Sequence, residues 1–386
     1  MADASVIIVG GGIIGLSTAF EMAQRQSHAG ITVLERNRVG SGTTSKATGG
    51  IRTQFSSETN VRLALLSRER FAHWQGIYGG NPRFVRIGYL FVTASERQAA
   101  LLQAGAREQR RWGVEVSMLT PPELARTVPG MATGDLRVGT FTESDGMADP
   151  GAATAALESA CRRAGVTLRE GAEVQSVRIG TDGAATGVIL KDGTPLSADR
   201  VVVACGPWTA PLLATIGLSV PIRPHHRQVY RTGPLPAWPP TIPLTVDLDT
   251  GLYCHSDGGA VVFGGGDRDT SPSFDDGARP SDVVRLGDAL IKRWPRLGEA
   301  PITHTWAGLR EMTPDDHGVV GELPDHPGLF VAAGFSGHGF MQAPAVGLIM
   351  AALATGSPSP VDASALHPGR FLRNEDRRDT AERYVF

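Results

Sequence analysis

Val6-Ile7-Ile8-Val9-Gly10-Gly11-Gly12-Ile13-Ile14-Gly15 opens the chain with four apolar, mainly β-branched residues, followed at once by glycines in the spacing GxGxxG. The apolar run reads as a buried strand ended by a tight turn, and the periodicity after it predicts a helix over 13–25. Residues 31–34 repeat the strand pattern, and Glu35 stands at their end, 20 positions beyond Gly15. Strand, glycine turn, helix, strand and acidic residue at this spacing are the opening of a dinucleotide-binding βαβ unit. Gly10 permits the turn, Gly12 lets backbone approach a diphosphate, and Gly15 lets helix and strand pack closely. The helix N-terminus takes the negative charge. Glu35 accepts from ribose hydroxyls and repels a 2′-phosphate.

A second glycine turn lies near the other end. Residues 329–333 are an apolar run that enters Gly334-Phe335-Ser336-Gly337-His338-Gly339, and a small-residue stretch that reads as a helix leaves it. Soon after the second strand comes Gly40-Ser41-Gly42-Thr43-Thr44-Ser45, whose hydroxyls suit a diphosphate and a flavin edge. One long cofactor held by both turns explains the pair. A helix N-terminus at the second turn stabilises the negative charge of a reduced flavin.

The rest of the chain fits a two-part enzyme. Its 386 residues hold 41% hydrophobic and 20% charged positions at a net charge of −2, which gives no support to nucleic-acid or membrane-surface binding as the main role. Three separated cysteines without a CxxC point to a reducing, cytoplasmic setting. No HExxH and no clustered His, Cys and Asp set suggests a metal. Parallel-sheet elements fall in blocks around 5–35, 150–205 and 329–355. Helices are expected over 61–75, 96–111, 151–164 and 281–294, strands over 84–93, 174–179, 185–190 and 201–204, and successive strands over 221–262. The fold class is therefore α/β: a Rossmann-like FAD-binding domain interleaved with an α+β substrate domain on a mostly antiparallel sheet. Residues 1–80, 145–220 and 320–372 are assigned to the first, 81–144 and 221–319 to the second, and 373–386 to a charged, solvated tail.

GGGIIGLSTAF (10–20) with Glu35, VVVACGPWT (201–209), WAGLREMTPD (306–315) and AAGFSGHGF (332–340) together resemble the D-amino-acid-oxidase-type flavoenzymes, over about residues 5–372. Residues 49–55 and 311–315 lean towards the β-subunit-like branch, that of heterotetrameric sarcosine oxidase and L-proline dehydrogenase. The resemblance implies oxidation of an amine or amino-acid C–N bond by hydride transfer to flavin N5. It extends the expected cofactor contacts to Ile13, Ile14, Arg36, Gly49, Gly50 and Ile51. Val174, Ala204, Gly206, Trp208 and Gly308 join them, as do Ser336, Gly337, His338, Phe340 and Met341 in the second turn. Relatives that bind flavin covalently use a histidine where this chain has Lys46, or a cysteine where it has Gly308, so non-covalent FAD is expected.

Arg310 matches the arginine that grips a substrate carboxylate, with pairing to Glu311 or Asp315 as its alternative. Arg52 matches another carboxylate-binding arginine, with loop bracing as the alternative. His255, near Tyr253, is a third candidate for the pocket, whereas His225, His226 and Gln228 read as structural. Met341 stands where a lysine usually follows GHGF, which cuts against small carboxylate substrates of the sarcosine sort and points to a larger or more apolar amine. Within the family, secondary or N-alkyl amino acids are the favoured substrates. Val262 or a neighbour stands where relatives carry an oxygen-activating lysine, which implies slow oxygen reactivity and leans the acceptor from O2 towards a quinone, a carrier or a partner subunit. A β-like subunit needing a partner and an assembly factor with structural FAD stay open as alternatives.

Overall fold

In a computed structural model, which describes residues 5–25, 30–239, 241–265, 271–279, 283–371 and 381–384, the strand Val6–Val9 runs through the middle of a six-stranded sheet. The order across that sheet is Val319–Glu322, Leu329–Ala333, Arg200–Val203, Val6–Val9, Ile31–Leu34 and Thr167–Arg169. Every neighbouring pair is parallel except the first, where Val319–Glu322 forms an antiparallel edge. Both faces are covered, as a parallel sheet requires. Val6 and Ile8 enter a core with the helices Ile13–Arg25, Pro150–Arg163 and Gly339–Thr355. Ile7 and Val9 enter a second core on the other face, with Val188 and Leu213. Thirteen of the 17 residues of Gly339–Thr355 are buried. A helix apolar on all sides is stable only inside, and this one crosses the centre of the molecule with its N-terminus at the second glycine turn.

The other large sheet has eight strands, in the order Ile302–Met312, Arg223–Thr232, Ala260–Gly265, Leu252–Asp257, Leu244–Asp247, Tyr89–Thr93, Val138–Thr142 and Ser117–Leu119. It is antiparallel apart from the Leu244–Asp247 and Tyr89–Thr93 pair. A short ladder, Gly50–Ile51 with Gly146–Met147, lies between the segments that feed the two sheets. No helix among the described residues is long and apolar enough to cross a membrane.

Several expected elements shift. The strand expected over 84–93 is confined to Tyr89–Thr93, all buried. Alternation fails because both faces are covered: Leu90 and Val92 pack into one core, Tyr89 and Phe91 into another. The helix over 61–75 runs instead from Glu58 to Ala72, because Ser57 caps it by accepting from the Asn60 amide. Residues 174–179 and 185–190 do form strands, but in a separate three-stranded antiparallel sheet. The parallel strands of that block are Arg200–Val203 and the three-residue edge strand Thr167–Arg169, the latter too short and too exposed to show a pattern. The helix expected from 281 is described as Val283–Arg293, and residues 281–282 lie outside the described residues.

The solvated tail needs correction. Residues 373–380 and 385–386 lie outside the described residues, but Glu382 and Tyr384 are buried, at 1% and 6% exposure. Glu382 accepts from the Ser56 amide at 2.8 Å and from Asn60 Nδ2 at 3.1 Å, while its own amide donates to the Asp315 carbonyl. Tyr384 stacks on Phe91 at 5.4 Å. Charge density in sequence suggested solvent, yet each of these groups has a partner waiting in the fold.

Candidate functional site

A cavity of about 650 Å³ runs between the two glycine turns and under the face of the eight-stranded sheet. At the first turn Gly10 has φ +111°, and a side chain there would put its Cβ 2.4 Å from the Ala204 carbonyl oxygen. A Cβ on Gly15 would stand 2.0 Å from the Gly10 carbonyl oxygen. These two positions bring the helix Ile13–Arg25 hard against its sheet and leave its N-terminal amides facing the cavity. Thr44 Oγ1 accepts from the Ile13 amide at 3.2 Å. Glu35 accepts from the amides of Gly11 and Asn37, both at 2.9 Å, which fixes its carboxylate on the rim. Carboxyl oxygens that each accept one amide have lone pairs to spare for further donors. Beyond it the Arg36 guanidinium lies over the Trp208 ring, 3.9 Å from the centroid, and Val174 lines the same end.

The second turn and the sheet face make the other end. The register sets Arg227 opposite Gly308 and His225 opposite Arg310. Residues facing each other across a ladder share a side, so Arg227 and Arg310 are diagonal neighbours on the face towards the cavity. Val229 and Tyr253 continue the lining, with Gly264 between them in register. Tyr89 lines it from the parallel pair. Gly337 has φ +94°, and a Cβ there would stand 2.9 Å from Arg310 Nε, so the turn backbone rests on the guanidinium.

Arg52 is buried behind this turn. Its Nη1 donates to the Gln54 carbonyl at 2.7 Å, and Nη2 donates to His338 Nε2 at 3.0 Å and to the Tyr384 carbonyl. Its guanidinium also lies 4.1 Å from the Phe55 ring centroid. Burial first, then the charges of Arg52 and Arg310, push the His338 imidazole well below its usual pKa, so it is neutral. Burial likewise pushes the Tyr89 phenol up to about 12 and raises that of Tyr253. Both remain protonated hydrogen-bond donors.

Of the residues singled out in sequence, Gly10, Gly12, Ile13, Ile14, Glu35, Arg36, Thr43 and Thr44 line the cavity. So do Gly49, Gly50, Val174, Ala204, Gly206, Trp208 and Gly308, with Arg52, Arg310, Ser336, Gly337, His338, Gly339, Phe340 and Met341 at the far end. Five do not. Gly15 and Gly334 shape the turns from behind, Gly334 against Thr313 and Ile222. Ser45 is exposed, and its hydroxyl donates to the carbonyls of Ser41 and Gly42. Ile51 points into the core, because Gly50 and Arg52 on either side take the cavity face. His255 is the main correction. It lies two residues beyond Tyr253, about 7 Å farther along the strand. There it is buried with Nδ1 against the Ser256 carbonyl and does not line the cavity.

As for the alternatives to Arg310 as a ligand-binding group, Asp315 is held by Arg370 at 2.8 Å. Glu311 turns Oε1 towards the Phe335 amide at 3.3 Å. His226 and Gln228 are structural: the His226 Nε2 bonds to the Gly277 carbonyl, and Gln228 Nε2 donates to the Trp306 carbonyl.

Sequence reading missed Arg227, Tyr89 and Glu311 as cavity residues. For Arg227 a signal existed, since it alternates with Val229 on a strand whose other apolar positions are buried. The pairing that makes it face Gly308 is a long-range register with no local trace. Among the described residues, no group of three or more His, Cys, Asp or Glu side chains is placed to hold a metal ion.

The cavity fits a long dinucleotide. Its two ends are closed by backbone where a Cβ would collide, and Glu311 Oε2 is buried on its wall without a hydrogen-bond partner.

Comparisons with known proteins identify the family and the fold. The model of the family described as "FAD dependent oxidoreductase" matches residues 5–353. Glycine oxidase of Geobacillus kaustophilus (strain HTA426) is 31% identical over 359 residues, covering 90% of this chain and 92% of that protein. The 4-methylaminobutanoate oxidase (formaldehyde-forming) of Paenarthrobacter nicotinovorans is 28% identical over 385 residues, 97% of this chain, although this chain spans only 46% of that protein's length. The crystal structure of L-proline dehydrogenase from P. horikoshii superposes with a TM-score of 0.89 at 30% identity, covering 97% of this chain and 99% of that one.

Proposed function

Since the chain belongs to the FAD-dependent oxidoreductase family, we propose that it oxidises the C–N bond of an amino acid to the imine, with secondary or N-alkyl amino acids favoured. The observation that carries this reading is Arg310, seated against the second glycine turn at the far end of the cavity from the dinucleotide motif. The three relatives are named for 4-methylaminobutanoate, glycine and L-proline, and each of those compounds carries an amine and a carboxyl group.

The FAD supplies a two-electron acceptor for the hydride. The diphosphate would be held by the Gly12 amide and the Thr44 hydroxyl, which accepts from the Ile13 amide and keeps its own proton to donate. Glu35 would hold the ribose hydroxyls, with Arg36, Val174 and Trp208 around the base. The reading includes non-covalent binding. Gly308 has no room for a reactive side chain, since a Cβ there would meet Lys46 Cβ at 2.8 Å. The Cys205 thiol donates to the Val9 carbonyl, and burial pushes it up to about 12. We assign cofactor binding to residues 1–80, 145–220 and 320–372, and substrate contact mainly to 81–144 and 221–319.

Arg310 binds the substrate carboxylate through its planar fork, with the neutral phenols of Tyr89 and Tyr253 as further donors. Arg52 braces His338, and through it the turn, without reaching substrate. Leu309, Phe340 and Met341 supply apolar wall that excludes water. An amine that binds deprotonated needs no strong base, so holding the α-C–H in line is the main task. The electron acceptor is O2, a quinone or carrier, or a partner subunit.

Anaerobic spectroscopy of the holoprotein against primary, secondary and N-methyl amino acids tests the reading. One class is expected to bleach the flavin band, and the rate of recovery in air separates oxidase from dehydrogenase. Arg310→Gln should weaken binding of that class about 10- to 150-fold, as loss of a charge-assisted pair implies. Unchanged bleaching by Arg310→Gln would refute its role, and no bleaching by any amine would favour structural FAD or a required partner.

A further inference from the structure

Glu311 follows Arg310 on the strand Ile302–Met312 and has no part in the roles assigned above. Its two carboxyl oxygens are in unlike positions. Oε1 accepts from the Phe335 amide at 3.3 Å, which ties it to the second glycine turn. Oε2 is buried, has no hydrogen-bond partner, and lies on the cavity wall. It stands 3.1 Å from where a Cβ on Gly206 would be, and Thr43 Oγ1 lies 3.7 Å from the same spot. An oxygen left so is costly unless something that enters the cavity satisfies it.

We propose that Glu311 is a cofactor-anchoring residue: Oε1 holds the second glycine turn, and Oε2 keeps its proton and donates it to an oxygen of the bound flavin nucleotide. The inference rests on the reading that the cavity holds FAD. One side chain would then couple seating of the cofactor to the turn that carries His338 and rests on Arg310. The charge state agrees. Burial pushes the Glu311 carboxyl up to about 7, against the amides of Phe335 and Gly334.

The surrounding elements bring cations that favour its ionised form, but burial outweighs them. Cys205, at the end of Arg200–Val203, is a thiol pushed up to about 12. His338 in the turn is neutral. The cations nearby are Lys46 on the short turn Thr43–Lys46, Arg227 beside His225 on the adjacent strand, and Arg310, which packs on Gly337.

The test is release of FAD from full-length holoprotein on dilution, followed by flavin fluorescence from pH 6 to 9, for the native chain, Glu311→Gln and Glu311→Ala. The native chain should lose about tenfold affinity or more as pH rises through 7 and beyond. Glu311→Gln keeps a neutral donor, so it should bind as the native chain does at pH 6 and show no such fall. Glu311→Ala should bind about tenfold more weakly at pH 6, the equivalent of one net hydrogen bond. Native-like affinity and pH profile in Glu311→Ala would overturn the proposal. So would Glu311→Gln as weak as Glu311→Ala, because the ionised carboxylate would then be the binding form. If Glu311→Ala fails to fold, Glu311→Gln decides alone by its pH profile. Absence of FAD from the native chain would instead sink the cofactor reading itself.

Discussion

Replacing Glu382 by alanine removes the acceptor for four donors at once. These are the Ser56 amide at 2.8 Å, Asn60 Nδ2 and the Tyr384 amide at 3.1 Å, and Ser57 Oγ at 3.3 Å. Hydrogen bonds to a charged acceptor each contribute roughly 1.5–3 kcal/mol, but they are not additive, and water can enter beside the half-buried Ser56. A total of about 3 kcal/mol is therefore expected for loosening the segment 381–384. The loss is centred on this segment, which contributes Tyr384 to the core around Phe91, while the remaining cores do not depend on it. Protection of the Glu382 and Tyr384 amides in native-state hydrogen exchange should fall about 150-fold, the equivalent of that energy. The consequence reaches the site, since the Tyr384 carbonyl accepts from Arg52, which donates to His338. Substrate affinity should fall while cofactor absorbance is retained. Glu382→Gln, which keeps one acceptor oxygen, should lie between. If exchange at 381–384 changes less than about threefold in Glu382→Ala, the segment is not latched by this carboxylate and the reasoning fails.

Other outcomes are equally checkable. Gly337→Ala places a Cβ within 2.9–3.1 Å of the Arg310 side chain at φ +94°. It should raise KM for a carboxylate substrate more than it lowers FAD affinity, and an unchanged KM counts against the Arg310 contact. Native protein should resist thiol alkylation at pH 8, because burial pushes Cys161 and Cys205 up to about 12 and Cys254 well above its usual value. Rapid labelling before unfolding would contradict this. Arg293, 1% exposed between Asp247 and Asp135, should cost about 3–5 kcal/mol as Arg293→Met, with much of that recovered when Asp247→Asn is added. Denaturant unfolding of the two variants decides it. The contribution of Glu311 to the stability of FAD-free protein should fall as pH rises from about 4.5 through 7, beside the like contribution of Asp145 and against that of His338. The folded Glu311 carboxyl holds its proton to about 7, so the folded state binds more protons across that window. Glu311→Gln should flatten that slope.

The first βαβ unit was legible because every part of it is local. Four β-branched residues, a glycine turn and a helix follow one another, and Glu35 reaches the turn simply by ending the next strand. The second glycine turn was legible for the same reason. His255 and Tyr253 show where local reading stops. Both lie on one face of Leu252–Asp257, and the alternation that puts Tyr253 in the cavity also nominates His255. Only the position of the cavity along the strand separates them. Ser45 and Ile51 failed similarly, being next in sequence to residues that face inward.

Sequence by itself determined the sheet that carries the dinucleotide turn, the helix buried at the second turn and Arg310 as a candidate ligand. The sheet and the helix depend on periodicity and turn chemistry, which neighbours in the chain supply, and Arg310 on the resemblance of residues 306–315 to the family's motif. Tertiary structure alone decided that Arg227 stands diagonal to Arg310, and that Glu311 leaves one oxygen on the cavity wall. It also brought the last described residues back to grip Arg52. Each of these needs segments that are distant in sequence, such as residues 52, 338 and 384. Register between strands and the docking of a chain end are set by global packing, which no short window of sequence contains.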